Sequence, residues 1–121
     1  MVTMKDIAGA IERHAPLSLQ ESWDNCGLQV GCMSGTVSRV LTALDVTAEV
    51  VAEAIEKQVQ CIVSHHPLIF KGLKSINLGT MQGKMIGDLL QHGIHVYSAH
   101  TNLDVTRGGL NDEVANRLGL Q

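Results

Sequence analysis

Apolar positions recur with a helical period from Met4 to about Arg13, where Met4, Ile7, Ala8 and Ile11 fall on one face. Thr3 and Asp6 stand three apart ahead of that face in the spacing of a capping box, and Pro16 closes the segment. The run Trp23-Asp24-Asn25-Cys26-Gly27-Leu28-Gln29-Val30-Gly31 predicts a short strand reached through a turn, with Trp23 packing and Asp24 turning the chain. From Val37 to Val46, dense β-rich apolar residues predict a strand buried on both faces. Thr47 then caps a helix from Ala48 to Gln58 whose buried side is Val50, Val51, Ala54 and Ile55. Val59 to Ser64 is the next strand. Thr80 caps a further helix that shows Met81, Met85, Ile86, Leu89 and Leu90 and stops at Gly93. Ile94 to Ser98 is the third strand of the series, and a last helix runs from about Leu110 to Leu118.

Strands alternating with helices imply right-handed crossovers, so the expected fold is α/β, a largely parallel sheet with helices packed on it. At 121 residues the chain has room for one such domain, residues 1–121. Ligands of these sheets bind beyond the carboxyl ends of the strands, where the loops converge. Chemistry is to be sought there.

Composition removes several function classes. Nine Lys and Arg are scattered among twelve Asp and Glu, which disfavours a basic face for nucleic acid. No stretch approaches 18 apolar residues and no export signal is readable, so no membrane role is expected. Cys26, Cys32 and Cys61 are odd in number and match neither a CxxC pair nor a zinc ribbon, which favours a reducing cytoplasm over a disulfide framework.

The strand exits carry the candidate chemistry: Asp45 after the first, His65 and His66 after the second, His100 and Asp104 after the third. Adjacent histidines leave an extended chain on opposite sides, and Pro67 biases His66 toward extended geometry, so the pair suits two neighbouring ions better than one. Imidazoles with a carboxylate suit zinc, iron, manganese, nickel or cobalt, and two such ions about 3.5–4 Å apart activate water for hydrolysis. Asp45 reads equally as a helix-starting residue or as a partner that orients a histidine. His14 and His92 at helix ends and His95 inside a strand are not ligand candidates. Gly79-Thr80-Met81-Gln82-Gly83 lacks the Gly-Lys-Ser/Thr order of a phosphate loop.

Four runs, Glu21 to Gly31, Ala43 to Thr47, Ser64-His65-His66-Pro67-Leu68-Ile69-Phe70 and Ser98-Ala99-His100-Thr101-Asn102-Leu103-Asp104, resemble in order those of the NGG-one-interacting factor three-like proteins, also known as GTP cyclohydrolase I type 2 homologues. The resemblance implies an α/β fold, two divalent metal ions per subunit and a ring-shaped homohexamer. By it His65 and His66 each reach a different metal, Asp104 binds one of them, and His100 orients a ligand or faces substrate. Family members continue for at least as long again, and their second half supplies a further His and a bridging Glu. The chain is therefore expected to be the N-terminal half of a two-part dinuclear-metal fold, with a short protein bearing an incomplete site as the alternative.

Three functions follow from different classes. One is a metal-dependent hydrolase of the amidohydrolase or cyclohydrolase kind acting on a small molecule. A second is a non-catalytic metal-binding or regulatory scaffold that works through oligomerisation and protein partners, and a third is a purely structural oligomerisation domain left after truncation. No run reads as guanine recognition, and Trp23, Phe70 and Tyr97 are the only aromatic residues.

Overall fold

In the computed structural model, which describes residues 1–120, every predicted helix and strand is present. Helix α1 spans Met4–His14, and Thr3 caps it through the expected reciprocal box with Asp6. A single 3-10 turn, Leu17–Leu19, follows Pro16 and leads to strand β1, Gly27–Val30. Then come β2 (Val40–Ala43), α2 (Ala48–Glu56), β3 (Cys61–Ser64), α3 (Met81–Gln91), β4 (His95–Ser98), α4 (Thr101–Val105) and α5 (Leu110–Arg117).

The four strands form one sheet in the order β1-β4-β3-β2. β2, β3 and β4 are parallel, with Cys61 opposite both Val40 and His95, while β1 joins β4 antiparallel and shifts register between Leu28 and Val30. Side chains alternate across the central strands, so the sheet carries helices on both faces. Ile62 and Val96 pack with Val51, Ala54, Ile86 and Leu89 of α2 and α3, whereas Cys61 and Tyr97 pack with Met4 and Ala8 of α1.

Three expectations need correction. The strand at Val37 to Val46 is not buried on both faces: only Val40–Ala43 is extended, it lies at the sheet edge, and Val40 is 42% exposed. An edge strand has a neighbour on one side only, and a dense apolar run does not reveal that position. Helix α2 ends at Glu56 because Gln58 takes φ +54°, which lets the Val59 N–H return to the Ala54 carbonyl. Met81 and Leu90, read as part of the α3 apolar face, are exposed at either end of it.

Candidate metal centre

The exits of β3 and β4 lie side by side because the strands are in parallel register, Ser64 opposite Ser98. Ser64 Oγ gives its one proton to the His66 carbonyl at 2.9 Å, so the 2.8 Å contact between the two serine hydroxyls is donated by Ser98. That pair is buried and fixes the turn on which the two histidines stand. The Ala99 N–H donates to the Ser64 carbonyl, tying the second exit to the first. β4 then runs into α4, which the sequence reading did not anticipate. Asn102, fully buried, accepts from the His100 N–H through Oδ1 and donates through Nδ2 to the Ala15 carbonyl, anchoring this short helix to the end of α1. Its first turn places Asp104 four residues from His100, with the Asp104 N–H on the His100 carbonyl.

These exits bring three imidazoles together, and the expectation that His65 and His66 leave an extended chain on opposite sides does not hold, because the chain bends at both residues and turns their rings toward one another. One ring nitrogen from each of His65, His66 and His100 lies within 4.8 Å of the other two. The ring centroids are 5.1 Å apart for His65 and His66, 5.1 Å for His65 and His100, and 5.3 Å for His66 and His100. Each Nδ1 has its own acceptor: the Ala99 carbonyl at 2.7 Å for His65, Asp45 Oδ1 at 2.7 Å for His66, and the Asp24 carboxylate at 3.0 Å for His100. An Nδ1–H held in this way leaves Nε2 as the lone-pair atom of a neutral ring.

At His65 that atom faces another acceptor. Nε2 lies 3.3 Å from Asp104 Oδ1. A lone pair and a carboxylate oxygen at that distance require a proton or a cation between them, so the donor set fits a positive ion. Of the expected residues, His65, His66, Asp104, His100 and Asp45 are thus all brought to one sheet edge. Asp45 touches His66 instead of capping a helix, since Thr47 Oγ1 is the acceptor for the Val50 N–H at the start of α2.

Asp24 was missed. Its side chain is fully buried beside His100 and accepts from the Thr101 hydroxyl (2.5 Å), the Thr101 N–H, the Asn25 N–H and the Cys26 thiol. Burial pushes its carboxyl up, but the hydrogen bonds from Thr101, His100, Cys26 and Asn25 outweigh that and hold it well below the usual carboxylate range. A charged Asp24 is therefore the fixed partner of the His100 ring. Trp23 does not pack inside: it is 59% exposed, with Phe70 at 6.0 Å and His100 at 6.4 Å between ring centroids. The available signal was an acid in a turn just before a glycine-flanked strand, but its partner His100 lies 76 residues on.

Residues 2–121 match the family model for Duf34/NIF3 (NGG1p interacting factor 3). The chain belongs to the Duf34/NIF3 family. This Duf34/NIF3 chain is 47% identical over 116 residues to a GTP cyclohydrolase 1 type 2 homolog of Clostridium acetobutylicum, an alignment that covers 96% of the chain and 43% of the relative. A Staphylococcus aureus protein of the same name is 48% identical, covering 96% and 31% respectively. Among solved structures, a Bacillus cereus protein related to NIF3 superposes with a TM-score of 0.93 at 44% identity, over 99% of this chain and 33% of that one. Reduced HcgD from Methanocaldococcus jannaschii gives a TM-score of 0.92 at 34% identity, over 99% and 48%. The chain spans between about a third and a half of the length of these relatives.

Proposed function

We propose that this Duf34/NIF3 chain is a divalent-metal-binding protein whose ion contacts are His65, His66 and Asp104, with His100 turned toward substrate. The observation that carries the reading is the Nε2 of His65 facing the Asp104 carboxylate at 3.3 Å while its Nδ1–H is committed to Ala99. Zinc, iron, manganese, nickel and cobalt all suit imidazoles with a carboxylate. Two ions per subunit, one for each histidine, complete the proposal, together with a homohexameric assembly in the cytoplasm and a second half that supplies the remaining ligands.

Divalent ions at such a site supply a centre that polarises a carbonyl or ring carbon and activates water. The chain's own residues do the rest. Ala99 and Asp45 hold His65 and His66 by Nδ1, so each ring presents Nε2. Asp24 keeps the proton of His100 on Nδ1, so His100 Nε2 is ready to accept a proton or a hydrogen bond from a ligand. This constellation supports hydrolysis of a small molecule, in line with the GTP cyclohydrolase name carried by the curated relatives.

Metal analysis of the purified protein combined with turnover assays on purine and pteridine nucleotides tests the reading. Bound first-row metal with turnover supports a hydrolase, and bound metal without turnover supports a metal-binding scaffold. A protein that takes up no divalent ion contradicts both.

A further inference from the structure

We propose that Trp23 and Phe70 form the wall of a subsite for a flat, conjugated heterocycle, set so that the polar edge of the ligand meets the imidazole cluster. The proposal deepens the metal-site reading and rests on it for the reacting end of the ligand.

The chain has three aromatic residues, and Tyr97 is buried. The other two come from distant segments to a centroid distance of 6.0 Å with planes 56° apart, yet remain 59% and 46% exposed. A protein so poor in aromatic surface thus leaves both remaining rings on one outer wall. The wall also begins where the imidazoles end, since the Trp23 ring meets His100 edge-on at 6.4 Å.

Hydrogen bonds hold the wall in place. Asn25 Nδ2 donates to the Ile69 carbonyl at 2.6 Å, and the Ile69 N–H donates to Gln29 Oε1 at 3.1 Å. Gln29 Nε2 donates back to the Asn25 carbonyl at 2.8 Å, closing a clamp between the segment of Trp23 and the segment of Phe70. From α3, Gln82 Nε2 donates to the Leu68 carbonyl at 2.9 Å. The backbone next to Phe70 is therefore fixed by partners on two sides before any ligand arrives, which lowers the ordering cost of binding.

Ring chemistry selects the ligand class. Exposed Leu73, Ile76 and Leu78 lie further along the same segment and offer apolar area, but they have no π-face. Trp and Phe faces favour a planar π-system, and stacking of this kind tolerates any base-like ring. A heterocycle with ring nitrogens or carbonyls on its far edge places those atoms toward His100 Nε2 and the other imidazoles, combining an apolar wall with a few convergent polar groups.

Trp23 is the only tryptophan, so its fluorescence reports on the wall directly. The probes are guanosine monophosphate and neopterin, with ribose 5-phosphate as the partner that lacks a base. The expected result is saturable quenching by at least one ring-bearing probe and none by ribose 5-phosphate, with affinity at least tenfold weaker in Phe70→Ala. Zinc affinity of Phe70→Ala, measured by calorimetry, should equal that of the parent, because Phe70 is not among the proposed ion ligands. Quenching by neither ring-bearing probe, equal effect of ribose 5-phosphate, or unchanged affinity in Phe70→Ala overturns the proposal. Such a failure with zinc binding intact leaves the metal reading standing, whereas loss of zinc binding in the parent strikes at that reading instead. If light scattering shows that Phe70→Ala disrupts an assembly while no ring-bearing probe binds, the wall is an interface between copies and the proposal falls.

Discussion

Asp24 shows how one residue carries a site that its own neighbourhood in sequence does not advertise. Its carboxylate, on a fully buried side chain, gathers Thr101, His100, Cys26 and the Asn25 N–H, so Asp24→Ala leaves the buried Thr101 and the half-buried His100 and Cys26 without that acceptor. The cost is about 3 kcal/mol, and thermal unfolding should fall by roughly 10 °C. His66→Ala, at an exposed position, should leave the unfolding temperature within about 2 °C of the parent, in keeping with the small effect of exposed sites. Tyr97 gives a pH signature separate from the proposed metal site. Burial, together with the hydrogen bond to Glu12, raises its phenol above the ordinary value of 10. The folded chain therefore keeps a proton that the unfolded chain releases above pH 10, and stability falls as pH rises past that value. Urea titrations between pH 8 and 11 should show this decline, and Tyr97→Phe should flatten it.

At the scale of elements, the helices were legible because their signals are local. Thr3, Thr47 and Thr80 each accept the N–H predicted for a cap, and the apolar faces of α1 and α2 follow the 3.6 period. The His-His-Pro and His-x-x-x-Asp exits were legible for a related reason: parallel register brings consecutive strand ends to one edge. What local pattern could not give was sheet position. β2 reads as central by its apolar density yet lies at the edge, and β1 adds itself antiparallel beside β4, a pairing set by contacts seventy residues apart in the chain. Helix α4 was hidden because it is one turn long, is held by Asn102, and has no amphipathic period to show. Gln58 offers a test at this scale. It closes α2 in the left-handed region, where a side chain costs about 1 kcal/mol that glycine avoids. Gln58→Gly should therefore raise the unfolding temperature by roughly 4 °C in a calorimetric scan, and a lowered value contradicts the cap assignment.

The whole molecule presents one well-built sheet edge and a good deal of uncovered apolar surface. Leu44, Ile76, Leu78, Met81, Leu90 and Leu118 are each more than half exposed, which is much for a protein of this size. The chain matches only 31–48% of the length of the relatives compared above. Multi-angle light scattering on the chain should show self-association at high concentration, and a clean monomer contradicts that expectation. On the proposed reading, His65, His66 and Asp104 bind divalent ions. Two imidazoles and one carboxylate over the two proposed ion positions are fewer than the three or four protein ligands of a secure site, so binding should be weak and strictly dependent on these residues. Calorimetric titration of zinc and manganese into the parent, His66→Ala and Asp104→Asn measures it most directly. Saturable binding in the parent that weakens at least tenfold in each variant is expected, while no binding in the parent, or equal binding in all three, contradicts the proposed site.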